Sequence, residues 1–154
     1  MARTGSFNCS DMRKLQKELE KLQKSTDKFL DECAKELAAR LLRKVIKRTP
    51  VGQYPAGSGK KGETLRSGWT GGNKSAANTY AESLTVHHYG GNYVIEITNP
   101  VEYASYVEYG HRKANHHGWV PGRFMMTISE KEIEQSAPQI LERKIKKFLG
   151  DALK

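Results

Sequence analysis

From Asp11 to Arg48 apolar residues recur at steps of three and four, with one gap between Leu22 and Phe29, and neither proline nor glycine interrupts the run. Leu15, Leu19, Leu22, Phe29, Cys33, Leu37, Leu41 and Val45 recur on one face of a 3.6-residue period, with Leu30, Ala34, Ala38, Leu42 and Ile46 in a parallel row. A helix of that length dictates the rest of the architecture, because whatever else folds must cover its stripe. Ser10 or Asp11 supplies an N-cap acceptor, and Lys44, Lys47 and Arg48 complement the dipole in the last turn. Pro50 ends the helix by disfavouring helical geometry at the residue before it. Ser25-Thr26-Asp27 has no apolar residue and is a candidate break. The stripe is narrow before that interval and wide after it, so the first half is expected to meet a partner and the second half to pack on the core.

The remaining elements are shorter. Val51 to Gly62 (VGQYPAGSGKKG) reads as a mobile loop. Strands are expected at Leu65–Thr70, Ala81–Tyr89 and Asn92–Thr98, the last two joined by a hairpin at Gly90-Gly91. Val101 to Tyr109 reads as a short helix stopped by Gly110. Arg112 to Gly122 reads as a polar loop. A final helix, starting near Arg123 or at a Ser129/Glu132 capping box, carries Ile133, Ala137, Ile140, Leu141, Ile145, Phe148 and Leu149, with a kink expected at Pro138. The fold class is α+β: a long N-terminal helix, a small antiparallel sheet of about three or four strands, a short helix and a long C-terminal helix. No internal repeat is present. With 154 residues the chain suits one domain, residues 1–25 being a helical extension and 26–150 the core.

Charge narrows the function classes. Lys and Arg number 26 against 17 Asp and Glu, a net of +9. Segment by segment, residues 11–49 carry +5, 50–80 carry +3, 81–110 carry −4 through Glu82, Glu96, Glu102 and Glu108, and 111–128 carry +3. A uniformly basic nucleic-acid binder has no such acidic middle. No run approaches the roughly 18–20 apolar residues of a membrane span, and Met1–Ser10 lacks the apolar stretch of a signal peptide. Cys9 and Cys33 are too few for a disulfide scaffold, consistent with synthesis in a reducing cytoplasm.

Candidate chemistry is thin. GSGKKGET at Gly57–Thr64 is reminiscent of a phosphate loop, but Ser58 stands where lysine is required and Lys61 follows Lys60 in place of Ser or Thr. His87, His88, His111, His116 and His117 have no metal-ligand spacing, so neither metal nor cofactor is expected. Neither GxSxG nor HExxH occurs, nor does any helix-turn-helix or zinc-finger pattern. The strongest enzymatic alternative is a small basic nuclease or DNA-binding protein using His111, Arg112, Lys60 and Lys61. Lys60, Lys61, Arg66 and Lys74 are the better candidates for touching phosphate, since acids interleave the helix cations into i,i+4 pairs. In the short helix the plain reading packs Tyr103 and Tyr106 inward and leaves Ser105 and Glu108 solvated.

Four blocks stand out in order: Thr49-Pro50-Val51-Gly52; Thr64-Leu65-Arg66-Ser67-Gly68-Trp69; Tyr103-Ala104-Ser105-Tyr106-Val107-Glu108-Tyr109-Gly110-His111-Arg112; and, after Trp119, Val120-Pro121-Gly122-Arg123-Phe124-Met125-Met126. Together they resemble the neck or tail-completion family of tailed phages and prophages, over about residues 45–150. The loop from Pro50 to Leu65 is longer and more lysine-rich than in the family pattern, and Pro138 interrupts a final helix that usually runs on.

The resemblance implies a non-enzymatic virion part without cofactors. Such a part forms a ring around the DNA channel between the head connector and the tail tube, hexameric by preference with twelve subunits as the alternative. A tail-terminator ring is the neighbouring possibility. On that reading Leu65, Arg66, Trp69, Tyr103, Tyr106, Glu108, Tyr109, Gly110, His111, Arg112, Trp119, Pro121, Gly122 and Arg123 form the motif and subunit-interface set. Lys60, Lys61 and Lys74 are the candidate channel contacts. The basic and acidic segments would be unlike faces meeting head to tail.

Overall fold

A computed structural model describes residues 10–72 and 76–152. Helix α1 (Ser10–Arg48) is followed by α2 (Thr64–Gly68), α3 (Ala77–Ser83), β1 (His87–Tyr89) and β2 (Asn92–Val94). Then come α4 (Ala104–Tyr109), β3 (Gly110–Arg112), β4 (Trp119–Pro121) and α5 (Met125–Ala152). The class is α+β. The strands form two separate antiparallel hairpins, β1 with β2 (Tyr89 opposite Asn92) and β3 with β4 (Gly110 opposite Pro121).

Helix α1 does not break at Ser25-Thr26-Asp27; the Thr26 hydroxyl donates back to the Leu22 carbonyl at 2.9 Å and the helix continues. The proposed caps, the side chains of Ser10 and Asp11, lie outside the described residues. Its second half is covered on two sides. Helix α5 runs antiparallel to it: Arg48 meets Glu132 and Ser129 near one end, Glu36 meets Lys144 in the middle, and Phe29 stacks on Phe148 at 4.3 Å at the other. The segment from α3 to β2 also descends α1, in successive contacts of Arg43 with Asn78, Lys35 with the Glu82 carbonyl, Asp31 with His88 and Asp27 with the Tyr93 hydroxyl. Between these layers Ala38, Ala39, Leu42 and Val45 of α1 pack with Leu65, Trp69, Ala77, Ala81 and Met125. Burying a side chain such as Leu42 contributes about 1.5–3 kcal/mol. Burial also pushes the Cys33 thiol up, leaving it an inert core group. The first half of α1 has no such cover: Met12, Leu15, Leu19 and Leu22 are each more than half exposed.

Several expectations are corrected. Leu65–Thr70 is helical, not a strand, since α2 is a single turn that turns Leu65 and Trp69 inward together. The strand expected at Ala81–Tyr89 divides into the end of α3 and β1. The polar stretch Arg112–Gly122 contains most of a hairpin. Ser129 is no cap: it lies a turn inside α5, fully buried, with its hydroxyl donating to the Met125 carbonyl at 2.6 Å. Helix α5 passes through Pro138 as one element, and Glu134 and Pro138 both lie on its exposed side, where water can reach the carbonyl that Pro138 leaves without a donor.

The α1–α5 ion pairs carry a pH signature. Lys44 and then Arg48, at 2.7 and 2.5 Å, hold the Glu132 carboxyl down to about 2 against an ordinary 4.5. Lys144 and then Arg40 lower that of Glu36. A depressed folded-state pKa gives stability that is complete above the unfolded value and is lost as pH falls through the folded one. The melting temperature is therefore expected to hold down to about pH 5 and then drop toward pH 2. Glu132→Gln should melt lower at pH 7 and fall less steeply in acid, as read by circular dichroism melts across that range. An unchanged acid limb in the variant would remove Glu132 from the account.

Candidate functional site

Two of the four sequence blocks are structural joints. Thr49, buried at the end of α1, donates its hydroxyl to the Val45 carbonyl at 2.6 Å and accepts the Trp69 indole N–H at 2.8 Å. Its carbonyl accepts from the Arg66 guanidinium at 2.8 Å. Asn99 donates its side-chain N–H to the Leu65 carbonyl at 2.8 Å while its amide oxygen accepts from Val101 N–H. Gly68 permits this docking, because a Cβ there would overlap the Asn99 side chain and sit 2.8 Å from Val101 Cγ2. Leu65 and Trp69 are 3% and 5% exposed, so their side chains serve the core and leave the interface set.

The other two blocks build one surface. Helix α4 turns Ala104, Val107 and Glu108 inward, the reverse of the plain reading that packed its tyrosines and solvated Glu108. The Glu108 carboxylate is buried and accepts from Met126 N–H at 3.0 Å, Thr127 N–H at 2.9 Å and the Thr127 hydroxyl at 2.8 Å. It thus caps the N-terminus of α5 from another helix. The need arises locally: Phe124, the residue before α5, has no side-chain acceptor and sits at φ 49°. Around the cap the chain crosses itself. Phe124 and Arg123 donate their backbone N–H groups to the carbonyls of Glu108 and Val107 at 3.0 and 2.8 Å. Gly110 (φ 87°) and Gly122 meet so closely that a Cβ on either would lie 2.8 Å from the backbone nitrogen of the other.

On this frame the remaining motif side chains point outward. Tyr103, Tyr106, Tyr109, His111, Arg112, Trp119, Pro121 and Arg123 are all exposed, with Phe124 and Ile128 beside them. Tyr106 faces the His111 ring at 5.9 Å, and Arg112 pairs across the hairpin with Trp119. Exposed aromatics thus alternate with cations along α4 and the β3–β4 hairpin. Patches of that kind on a soluble domain mark contacts with another macromolecule.

The lysine loop lies elsewhere. Its neck is closed by Gly52 N–H donating to the Gly62 carbonyl at 3.0 Å, and Lys60 reaches over the Tyr54 ring at 5.7 Å. Lys60 and Lys61 are exposed; Lys74 falls outside the described residues. The acidic middle segment is also smaller as a surface than as a sequence. Glu108 is committed to the α5 cap, leaving Glu82, Glu96 and Glu102 exposed. Glu108 and Thr49 are the two structural residues that sequence reasoning assigned no such role. The signal for the first was the lack of any capping residue just ahead of α5.

A family model described as "Bacteriophage HK97-gp10, putative tail-component" matches residues 13–110, more than half of the chain. The chain belongs to this phage tail-component family. The match runs from Arg13, in the exposed half of α1, to Gly110, before the Pro121–Met126 block. No curated protein and no solved structure gives a match. No helix among the described residues is long and apolar enough to cross a membrane.

Proposed function

We propose that the chain is a structural, non-enzymatic subunit of the phage head–tail junction. Six copies form a ring around the DNA channel, between the head connector and the tail-terminator or tail-tube proteins, and the ring joins a finished tail to a filled head. The observation that supports this most is the exposed aromatic and basic surface on α4, β3 and β4, held rigid by the Glu108 cap and the Gly110–Gly122 crossing. Rigid, solvent-facing aromatics beside arginine are what a permanent protein contact uses, whereas a catalytic site gathers such groups in a cleft. The bare stripe Met12, Leu15, Leu19 and Leu22 supplies a second contact toward neighbouring proteins. Unlike charge contributes less than the segment totals suggest, since Glu108 of the acidic segment is buried and only Glu82, Glu96 and Glu102 are exposed.

Tyr106→Ala and Arg123→Ala test this surface. Both side chains are exposed, so folding should be unaffected. Lysates made with either variant are expected to contain heads and tails that are complete but unjoined by negative-stain microscopy. Normal joining with both would remove the patch from the interface.

A further inference from the structure

A cluster of positive charge also lies away from the lysine loop and the aromatic residues of α4, β3 and β4. It lies in an open cleft of about 500 Å³ between α1 and α5, lined by Arg40, Arg43, Lys44, Lys47 and Arg143 together with Glu132, with Arg48 at its end. Six cations stand against two carboxylates, Glu132 and the Glu36 that pairs with Arg40, a net of +4. The i,i+4 pairing that neutralises much of α1 reaches only Arg40 of these cations. Arg40 is paired with Glu36, and Lys44 and Arg48 share Glu132. Arg43 touches only the neutral Asn78, and Lys47 and Arg143 have no acidic partner among the described residues. A cleft with that surplus between two ordered helices attracts a polyanion.

We propose that this cleft contacts the phosphate backbone of duplex DNA, without reading its sequence. From Arg40 to Lys47 the cations follow one face of α1 over about 10 Å at 1.5 Å per residue. Along the same length a duplex presents about six phosphate charges, one per roughly 1.7 Å of axis. The alternative anion, an acidic face on a second copy, offers Glu82, Glu96 and Glu102 of the acidic segment, fewer charges than the six cations of the cleft. The inference deepens the proposed position around the DNA channel and rests on it; it assigns the channel contact to α1 and α5 instead of Lys60 and Lys61.

The full chain is titrated against a fluorescein-labelled duplex of arbitrary sequence by anisotropy at increasing salt. Three proteins are compared: wild type, Lys47→Glu/Arg143→Glu and Lys60→Glu/Lys61→Glu. All four altered residues are exposed, and melts together with native mass check folding and assembly. The cleft variant is expected to lose at least about tenfold in low-salt affinity and about 2 from the slope of log K against log salt, while the loop variant keeps the wild-type slope. The inference is overturned if wild type does not bind, if the loop variant takes the loss, if the cleft variant keeps the full slope, or if it changes assembly mass instead of DNA binding. Its failure is separable from that of the proposed position. Heads and tails joined normally by a protein that binds DNA without the cleft would remove only the inference. Binding through the cleft by a protein absent from particles would remove only the position.

Discussion

Gly110→Ala is expected to lower the melting temperature by about 10 °C or more, or to leave no soluble protein, because two penalties add at one position. The backbone there, at φ 87° and ψ 172°, lies in a region that is essentially restricted to glycine and costs other residues about 1–3 kcal/mol. The added Cβ would also overlap the Val120 carbonyl and lie 2.8 Å from both Gly122 N and Trp119 Nε1. The Trp119 ring can swing aside, but Val120 O and Gly122 N are backbone atoms of the hairpin and crossing that cannot give way. Gly90→Ala is the matched control. It too has positive φ, 60°, but nothing lies within 4 Å of its Cβ, so about 1 kcal/mol from backbone conformation is all it should lose. Thermal melts of the two variants therefore separate the clash from the dihedral. Equal losses would mean that the α4–β3 and β4–α5 segments do not cross as described.

Glu108→Ala should cost about 2–3 kcal/mol, seen as a loss of roughly 5–10 °C in melting temperature. Three donors at the start of α5 lose their acceptor at once, in a site that water does not fill because Glu108 is only 6% exposed. A carboxylate at a helix N-terminus also opposes the positive end of the helix dipole, and alanine removes that contribution. Glu108→Gln separates shape from chemistry. Both oxygens accept in the native protein, whereas an amide offers one acceptor and sets an N–H against a backbone N–H. The glutamine variant should thus recover less than half of the loss. Near-native melting of both variants would show that α5 is capped by some other group.

What the sequence disclosed and what it hid follow from the range of the interactions. Helix α1 was legible to within a residue because its apolar period repeats over ten turns, and the Gly90-Gly91 hairpin because two glycines set its turn locally. Helix α2 was not, because a five-residue turn carries too short a pattern to separate period two from period three, and only the shared burial of Leu65 and Trp69 decides it. The inward face of α4 was misread for a related reason. Tyrosine outweighs glutamate as a core former in isolation, yet the bare N-terminus of α5, some twenty residues on, supplies the partners that bury Glu108. The division of the motif residues into joints (Leu65, Arg66, Trp69, Glu108, Gly110, Gly122) and outward side chains required the fold. The cleft cations were visible as charges and dismissed as a solvated face, because pairing along one helix says nothing of what α5 brings alongside.

The most direct test of the central claim is a cryo-electron microscopy reconstruction of the neck of the phage particle that contains this protein. The account predicts a six-fold ring of the chain between the connector and the tail tube, with Tyr106, Tyr109 and Trp119 in contact with neighbouring proteins. Density for the chain elsewhere in the particle, or a particle with joined head and tail from which it is missing, would contradict it.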